Sequence, residues 1–495
     1  MNIKRAKNEI KNALRAYLAR DAFGAYRIPP IRQRPILLMG PPGIGKTQIM
    51  EQIAEETGVG LVSYTLTHHT RQSALGLPFI ETVQLGGAER TVTAYTLSEI
   101  IASVYREMER MGTKEGILFL DEINCISETL TPMMLQFLQC KTFGNQRLPD
   151  GWMVVAAGNP PEYNKSVREF DVVTLDRVKR IDVEEDFAVW KEYAYRRGIH
   201  GAILSYLEIR RDHFYRVEAT ADGLQFVTAR GWEDLSELMQ VYETLDLPVD
   251  RQVVGQYLQL PRVAADFANY LQLYEKYKRV YRVEEILDGA WEKVRASELA
   301  GAAFDEKLGV LGLLLARLAD SAREAYRLDR LTDALHQDLV HIREGEKMLG
   351  TLLDEKQAAL TRRRDAGSTD KDALFTAARE AERLAAFQQA LALEKVPKGQ
   401  AFERLKALFQ EDVQARADAA DRTDRQLANV FAFLDAAIPN SQELVLFATE
   451  LTANYFTSWF IQNFGCEAYF AHNKQLLFDD TRQRLLREIG SAEPD

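Results

Sequence analysis

The chain has 495 residues, a length typical of about three domains, and 46% of its residues are hydrophobic, as in ordinary globular proteins. Its formal net charge is −11, and its short basic clusters lie beside acids, which disfavours duplex nucleic acid as a partner. The three cysteines have no paired spacing. A disulfide framework and a structural zinc site are therefore not expected, and a reducing cytoplasm is favoured.

Neither end of the chain shows the pattern of a membrane segment. The N-terminal residues carry charges throughout and lack the apolar run of a signal peptide. The most apolar late stretch, residues 444–464, contains a glutamate and several polar side chains. We therefore expect a buried helix there and no membrane span.

A glycine-rich motif follows the first predicted strand. The run RPILLMG is typical of a short buried strand, and GPPGIGKT then matches the spacing G-x-x-x-x-G-K-[ST] before a predicted helix. Glycines let backbone N–H groups surround phosphate oxygens, Lys46 supplies a cation for the outer phosphates, and the Thr47 hydroxyl can bind Mg²⁺. The motif predicts a nucleotide site formed by Gly40, Pro41, Pro42, Gly43, Ile44, Gly45, Lys46, Thr47 and Gln48.

The segment LTHHTRQSALGLPF, residues 66–79, is predicted to be a polar loop. Its His68 and His69 are adjacent, so their side chains point in different directions, and no third ligand is near in sequence. A metal site is therefore not expected there. Arg71 is an alternative contact residue at a subunit interface or a pore. Residues 77–96 then predict two strands joined by a GGAE turn.

A second buried strand ends on two acids. Residues 117–120 are an apolar run typical of a central parallel strand, and Asp121 and Glu122 follow at its C-terminal end. Because ligands of open α/β sheets bind outside that end, we expect both carboxylates near the phosphate loop. Asp121 is suited to bind Mg²⁺ together with Thr47, and Glu122 is suited to polarise the attacking water.

The next predicted strand, GWMVVAAGN at residues 151–159, ends on an amide and meets two prolines. Pro160 and Pro161 lack N–H groups, so they end the strand and fix Asn159 at its tip. The neutral amide of Asn159 can donate and accept hydrogen bonds near the γ-phosphate and the water. We therefore predict that Asn159 acts on the chemical step.

These pieces, in this order, resemble the core of an AAA+ ATPase, which implies a P-loop NTPase fold. The resemblance gives Asn159 the sensor 1 position. Residues 172–185 resemble the segment whose arginine finger reaches the neighbouring subunit's nucleotide, with Arg177 as the first candidate and Arg180 as the second. Residues 226–239 resemble the lid helix with the sensor 2 arginine, which implies that role for Arg230, in cis or in trans.

Within this superfamily the chain is most similar to the MoxR group, over roughly residues 1 to 280. The hairpin predicted at 77–96 resembles the extra hairpin of this clade and of its dynein-related and magnesium-chelatase relatives, and a second small hairpin is predicted at 140–152. Residues 190–208 resemble the lid of bacterial MoxR ATPases. The resemblance implies ATP and Mg²⁺ as cofactors, a ring that is most often a hexamer, and a companion protein with a von Willebrand factor A domain.

Beyond residue 285 the pattern changes to long amphipathic helices without a nucleotide motif. Leucine spacing from Leu328 to Ile342, and leucine and alanine spacing from Leu374 to Leu391, predict an antiparallel helical hairpin. Gly367 is expected in its turn, with Ser368 or Thr369 as the N-cap of its second helix. Two interpretations stay open at this point. The helices either form a bundle that packs on itself, or they form a protruding arm that binds a partner.

We therefore predict an α/β AAA+ core with a parallel sheet over residues 1–185, a helical lid over 186–285 and an all-α C-terminal domain over 286–495. The expected function is Mg²⁺-dependent ATP hydrolysis in a cytoplasmic ring that remodels or activates a protein partner, as a MoxR-like chaperone would. One alternative is a nucleic-acid-associated motor, which the acidic balance disfavours. Another is an ATP-binding scaffold with little hydrolysis, which Glu122 disfavours.

Overall fold

The chain forms two compact units. The computed structural model describes residues 1–472 except 69–70, 87, 145, 164–166, 168–169, 221–222, 346 and 366–369. The first unit comprises Met1–Val189 and Thr228–Gly231, and the second comprises the remaining residues from Trp190 onward. The boundary predicted near residue 285 falls inside the second unit and stays a prediction.

The first unit alternates strands and helices. Its elements in chain order are α1 (Ile3–Leu18), β1 (Ile36–Met39), α2 (Lys46–Thr57), β2 (Gly60–Thr65), α3 (Arg71–Leu75), β3 (Pro78–Leu85), β4 (Ala88–Tyr95), α4 (Glu99–Met111), β5 (Gly116–Asp121), α5 (Thr131–Cys140), β6 (Thr142–Phe143), β7 (Gln146–Arg147), β8 (Trp152–Gly158), α6 (Val172–Leu175) and β9 (Lys179–Asp182). Helix α7 (Phe187–Arg197) begins in this unit and continues into the second.

Five parallel strands form the central sheet, in the order β2-β5-β8-β1-β9. Strand β5, which ends on the acids, pairs with β8, which ends next to Asn159, from Gly116↔Trp152 to Leu120↔Ala156. Strand β8 in turn pairs with β1, with Gly158 opposite Met39. The C-terminal ends of these three strands therefore lie side by side at one edge of the sheet.

Helices cover both faces of the sheet, which explains why its three central strands, β1, β5 and β8, are apolar without alternation. On one face Ile36, Phe119 and Val155 pack against apolar side chains of α1 and α2. On the other face Leu37 and Leu118 pack against α4 and α5. Because neither face of β1, β5 and β8 meets water, these central strands carry polar side chains only at their ends, where the candidate site lies.

Two antiparallel hairpins extend from the first unit, as predicted. Strands β3 and β4 pair from Pro78↔Tyr95 to Leu85↔Ala88, although Gly87 of the predicted turn lies outside the described residues. Strands β6 and β7 form the second, shorter hairpin. Phe79 and Ile80 of the longer hairpin are exposed, so its base presents apolar surface.

The second unit is mostly helical. Its elements are α8 (Gly201–Ile209), β10 (Arg216–Thr220), β11 (Gly223–Val227), α9 (Ala229–Thr244), α10 (Arg251–Tyr257), α11 (Pro261–Tyr281), α12 (Val283–Leu287), α13 (Lys293–Gly301), α14 (Phe304–Arg343), α15 (Leu349–Asp365), α16 (Lys371–Leu393), α17 (Ala401–Ala437), α18 (Gln442–Ala453) and α19 (Tyr455–Phe464). Helix α9 begins with residues of the first unit. The region predicted as a helical lid also contains the β10–β11 hairpin.

The predicted helical hairpin is present, but its first helix begins at Leu349. The leucine run from Leu328 to Ile342, which predicted an earlier start, lies in α14. Helix α14 ends at Arg343, and Gly345 then takes a φ of 74° before α15 begins, a break that the sequence analysis missed. Helices α15 and α16 form the hairpin. Asp370 is the N-cap of α16, while the predicted turn residues Gly367, Ser368 and Thr369 lie outside the described residues.

The apolar stretch at 444–464 forms two helices, α18 and α19, instead of the one that was expected. Each helix has a buried face. Asn454 ends the first and caps the second by accepting hydrogen bonds from the backbone N–H groups of Phe456 and Thr457, at 2.9 and 3.2 Å. Within the described part of the chain, no helix is both long and apolar enough to cross a membrane.

Helices α8 and α14 approach each other closely at Gly312, and this contact generates a prediction. A Cβ atom added to Gly312 would lie 2.4 Å from Ser205 Cβ, so one helix must shift to admit it. We expect Gly312→Ala to destabilise the second unit by about 1–3 kcal/mol through overpacking and to lower its unfolding midpoint by several degrees in a thermal melt.

The matched control is Gly255→Ala in α10. Nothing lies within 4 Å of a Cβ atom added there, so only helix propensity changes. This control is expected to raise stability by up to about 1 kcal/mol. A Gly312→Ala variant that melts with the control or above it would contradict the close packing of α8 and α14.

Candidate functional site

The glycine-rich loop joins β1 to α2 at the C-terminal edge of the sheet. Gly45 has a φ of 90°, a left-handed conformation that favours glycine, and it is the N-cap of α2, which begins at Lys46. The backbone N–H groups of the first turn of α2 have no partners within the helix and carry its positive dipole end. This arrangement suits a phosphate group, as the motif predicted.

Lys46 is buried, with 8% of its surface exposed. Its Nζ donates hydrogen bonds to the carbonyl oxygens of Gly40 and Pro41, at 2.7 and 2.8 Å, and to Asn159 Oδ1, at 2.8 Å. The structure therefore brings two of the predicted site residues, Lys46 and Asn159, into direct contact although 113 positions separate them in the chain.

Burial lowers the pKa of Lys46 from its ordinary 10.5 to about 8, because desolvation disfavours the charged ammonium. Asp121 opposes this shift and raises the pKa, Arg230 lowers it further, and Glu122 raises it. The bound phosphates of a nucleotide would act in the same direction as the two carboxylates. The charge of Lys46 is thus sensitive to the anions placed beside it.

Thr47 and Asp121 meet at the same edge. The Thr47 hydroxyl donates a hydrogen bond to Asp121 Oδ2 at 3.2 Å. A hydroxyl and a carboxylate are hard oxygen donors, and Mg²⁺ in nucleotide sites is typically held by one or two such groups together with substrate phosphates. No group of three or more His, Cys, Asp or Glu side chains forms a metal site in the described residues. The donor set therefore fits a magnesium ion that arrives with its nucleotide.

Glu122 follows Asp121 with a φ of 56°, a left-handed conformation that is uncommon for a non-glycine residue. Its backbone N–H donates to Asp121 Oδ1 at 2.9 Å, and the N–H of Ile123 donates to the Ala157 carbonyl oxygen at 2.9 Å. These bonds hold the turn that follows β5 and carries Glu122.

Thr67 also lies at the candidate site, although the sequence pattern around it did not predict this. Its hydroxyl donates a hydrogen bond to Glu122 Oε2 at 2.8 Å. Thr67 follows β2, which pairs with β5 up to Thr65↔Asp121. The parallel-sheet rule that placed Asp121 and Asn159 together could have found it, had the run ending at Thr65 been recognised as the neighbouring strand.

Arg177 and Arg180 lie apart from the phosphate loop of their own chain. Strand β9 pairs with β1 from Ile36↔Lys179 to Met39↔Asp182, so Arg177 precedes β9 at the end opposite to the loop that follows Met39. Arg177 is exposed and donates a hydrogen bond to Gln139. Arg180 is also exposed and donates to Asp182 at 2.8 Å.

Arg230 lies beside the phosphate loop, at the start of α9. A Cβ atom added to Gly43 would lie 3.1 Å from Thr228 Oγ1 and 3.4 Å from Arg230 Cβ. The guanidinium charge of Arg230 also lowers the pKa of Lys46. The structure therefore brings Arg230 near the loop of its own chain, whereas Arg177 is not brought there.

Residues 35–178 match the family described as AAA domain (dynein-related subfamily). A comparison with curated proteins finds no match for the chain.

The matched segment runs from the residue before β1 to the residue before β9. It includes the phosphate loop, the acids after β5, Asn159 and Arg177, while Arg230 lies beyond it. The chain therefore contains an AAA domain with an α/β P-loop NTPase fold, as predicted, followed by a mostly helical region. A domain of this family supports nucleotide binding and ATP-driven activity.

The lowered pKa of Lys46 predicts a pH dependence of nucleotide binding. Above pH 8 the free ammonium loses its proton, while bound phosphates favour the protonated form. We therefore expect the affinity for a non-hydrolysable ATP analogue to fall as pH rises from 8 to 9.5, approaching about tenfold per pH unit. Titration calorimetry at fixed ionic strength measures the effect.

Two variants serve as controls. Lys141 is another buried lysine whose pKa is lowered to about 8 by burial, but it lies at the C-cap of α5. Lys141→Gln should keep the wild-type pH profile, and Lys46→Ala should bind weakly with a flat profile. A wild-type affinity that is constant from pH 7 to 9.5 would refute the role given to the Lys46 charge.

Proposed function

We propose that this protein hydrolyses ATP with Mg²⁺ as a subunit of an oligomeric ring and uses the energy to remodel or activate a protein partner, as a MoxR-like chaperone does. One observation carries the hydrolytic part of the proposal. Lys46, Thr47, Asp121, Glu122 and Asn159 come from separate segments but meet at one edge of the sheet.

Each side chain has a distinct task in this proposal. Lys46 and the N-terminus of α2 bind the outer phosphates. Thr47 and Asp121 hold the magnesium ion, which neutralises phosphate charge when it is bound. Glu122 orients and polarises the attacking water, and Asn159, already bonded to Lys46, contacts the γ-phosphate and that water. Arg230 adds positive charge from the start of α9.

The ring is supported by the position of Arg177. Asp182, the last residue of β9, pairs with Met39 next to the phosphate loop, and Arg177 precedes it by five residues. At roughly 3.3 Å per residue, β9 alone covers about 10 Å between Lys179 and Asp182, so Arg177, which precedes the strand, lies away from its own site. An exposed arginine so placed is suited to complete the site of a neighbouring copy, while Arg180 bonds Asp182 of its own chain.

A protein partner is supported by two features and is otherwise an inference from the MoxR resemblance. The exposed Phe79 and Ile80 give the β3–β4 hairpin an apolar surface of the kind that protein contacts bury. The long helices from α14 to α17 contain no nucleotide motif in their sequence, and this proposal gives them no part in hydrolysis. The proposal also includes a hexameric ring and a companion protein with a von Willebrand factor A domain. Both of these are inferred from the MoxR resemblance.

Two variants separate nucleotide binding from hydrolysis. Lys46→Ala should lose most nucleotide affinity because the outer phosphates lose the cation of the loop. Glu122→Gln should bind ATP normally but release phosphate about 10² times more slowly or worse, because the amide cannot accept a proton from water. Nucleotide binding and steady-state phosphate release measure the two effects.

The charge control for Glu122 is Glu162→Gln, an exposed carboxylate in the turn that follows Asn159. It should hydrolyse ATP at the wild-type rate. Wild-type turnover by Glu122→Gln would exclude the water-orienting role, and wild-type protein that binds but never hydrolyses ATP would favour a scaffold instead.

A mixing experiment tests whether Arg177 acts in trans. Arginine fingers contribute about 10³ to 10⁵ in rate, so Arg177→Ala should bind ATP but hydrolyse it poorly. Mixed with inactive Lys46→Ala protein, it should recover part of the activity at composite sites that contain an intact Lys46 and a neighbour's intact Arg177. Phosphate release is measured on mixtures whose assembly is verified by native mass spectrometry.

Arg180→Ala is the matched control, because its guanidinium is engaged by Asp182. It should keep most activity alone. If mixed rings form and no activity returns, Arg177 does not act in trans. If Arg180→Ala is the inactive variant that recovers on mixing, the finger is Arg180.

A further inference from the structure

A second asparagine lies directly behind Asn159. Asn124 follows β5, two residues after Glu122, and only 3% of its surface is exposed. Its Nδ2 donates a hydrogen bond to the Asn159 carbonyl oxygen at 2.7 Å. The bond links the turn that carries the two acids to the tip of β8, where strand pairing has already ended at Gly158.

The space that Asn124 occupies exists because residue 158 has no side chain. A Cβ atom added to Gly158 would lie 2.6 Å from Asn124 Oδ1 and 2.8 Å from its Cγ, distances that real Cβ atoms do not show. Asn124 is therefore held between the backbone of Gly158 and the carbonyl of Asn159. The Asn124 side chain can take this position only while residue 158 is a glycine.

We propose that Asn124 is a positioning residue that sets the orientation of Asn159, and that Gly158 is required to make room for it. Asn124 touches neither nucleotide nor water in this assignment, and it acts through Asn159. The inference rests on the proposed hydrolytic function, because it concerns the residue that contacts the γ-phosphate there.

The physical basis is the loss of other restraint at this point in the chain. Strand β8 ends at Gly158, and Pro160 has no N–H with which to continue its hydrogen-bonded ladder. Strand pairing therefore does not fix the backbone on the C-terminal side of Asn159. The Asn124 bond supplies that restraint from a buried side chain, where the low local dielectric strengthens a hydrogen bond. The Asn159 amide then meets Lys46 Nζ at 2.8 Å with its backbone fixed.

Single variants test the assignment first. Asn124→Ala removes the donor, and we expect nucleotide affinity within about threefold of wild type with kcat reduced at least tenfold, the pattern of an interaction that matters only in the chemical step. Asn124→Asp keeps the side-chain volume, loses the donor and opposes a carboxylate to the carbonyl oxygen. It should show the same split and serves if the alanine variant unfolds.

Double variants provide a readout that a merely structural role would not move. Gly158→Ala alone should reduce kcat at least as much as Asn124→Ala, because the new methyl group displaces the Asn124 amide. Added to Asn124→Ala, it should cause little further loss, since the space is then free. Asn124→Ala combined with Asn159→Ala should likewise lose much less than the product of the two single effects.

Asn454→Ala is the control for removing a buried asparagine. Asn454 is also 3% exposed and hydrogen-bonded, but it caps α19. It should lower the melting temperature by an amount similar to that of Asn124→Ala while leaving kcat unchanged. A wild-type kcat for Asn124→Ala, or effects of Asn124→Ala and Gly158→Ala that multiply, would overturn the inference.

The failure of this inference is distinguishable from failure of the proposed function. If wild-type protein hydrolyses ATP, Lys46→Ala does not, and Asn124→Ala equals wild type, only the positioning role is lost. If wild-type protein and Lys46→Ala release phosphate equally, the proposed hydrolytic site is wrong and the positioning role falls with it.

Discussion

The buried ammonium of Lys46 is the interaction on which the rest of the site depends. An ammonium taken from water is costly unless oxygens surround it, and three acceptors within 2.8 Å supply that environment. Two acceptors belong to the loop itself, but the third is Asn159 at the end of another strand. The third acceptor is therefore in place only while β1 and β8 are paired in the observed register, with Gly158 opposite Met39.

This dependence explains how much of the site the sequence could predict. Strands β5 and β8 are uninterrupted apolar runs, since both faces of the sheet are covered there, and each run stops at a polar residue. Asp121, Glu122 and Asn159 were therefore identifiable as strand-end residues, and the parallel topology placed them together. Thr67 was not, because β2 is only partly buried and exposes polar residues before it ends.

Contacts that depend on three-dimensional proximity were less predictable. Nothing in the spacing of Asn124 and Gly158 indicates that one fills the space left by the other, because the two segments meet only when β5 and β8 align.

In the helical region the sequence pattern is strong, but it does not give the helix boundaries. Leucine spacing continues on both sides of Gly345, so periodicity predicted one long first helix where the chain divides into α14 and α15. The spacing of apolar residues indicates which face of a helix is buried, but it does not indicate where the helix ends.

The same topology separates the two kinds of arginine. Arg230 reaches the phosphate loop because the chain returns to the first unit for four residues, Thr228–Gly231, at the start of a helix that otherwise belongs to the second. Arg177 precedes β9, and parallel strands carry their N-terminal ends away from the ligand edge. A single copy thus places Lys46 and Arg230 at its own phosphate loop, while its Arg177 lies away from that loop. Under the proposed function this separation makes hydrolysis conditional on a neighbour, since the charge that develops in the transition state is fully neutralised only when a second chain contributes its arginine.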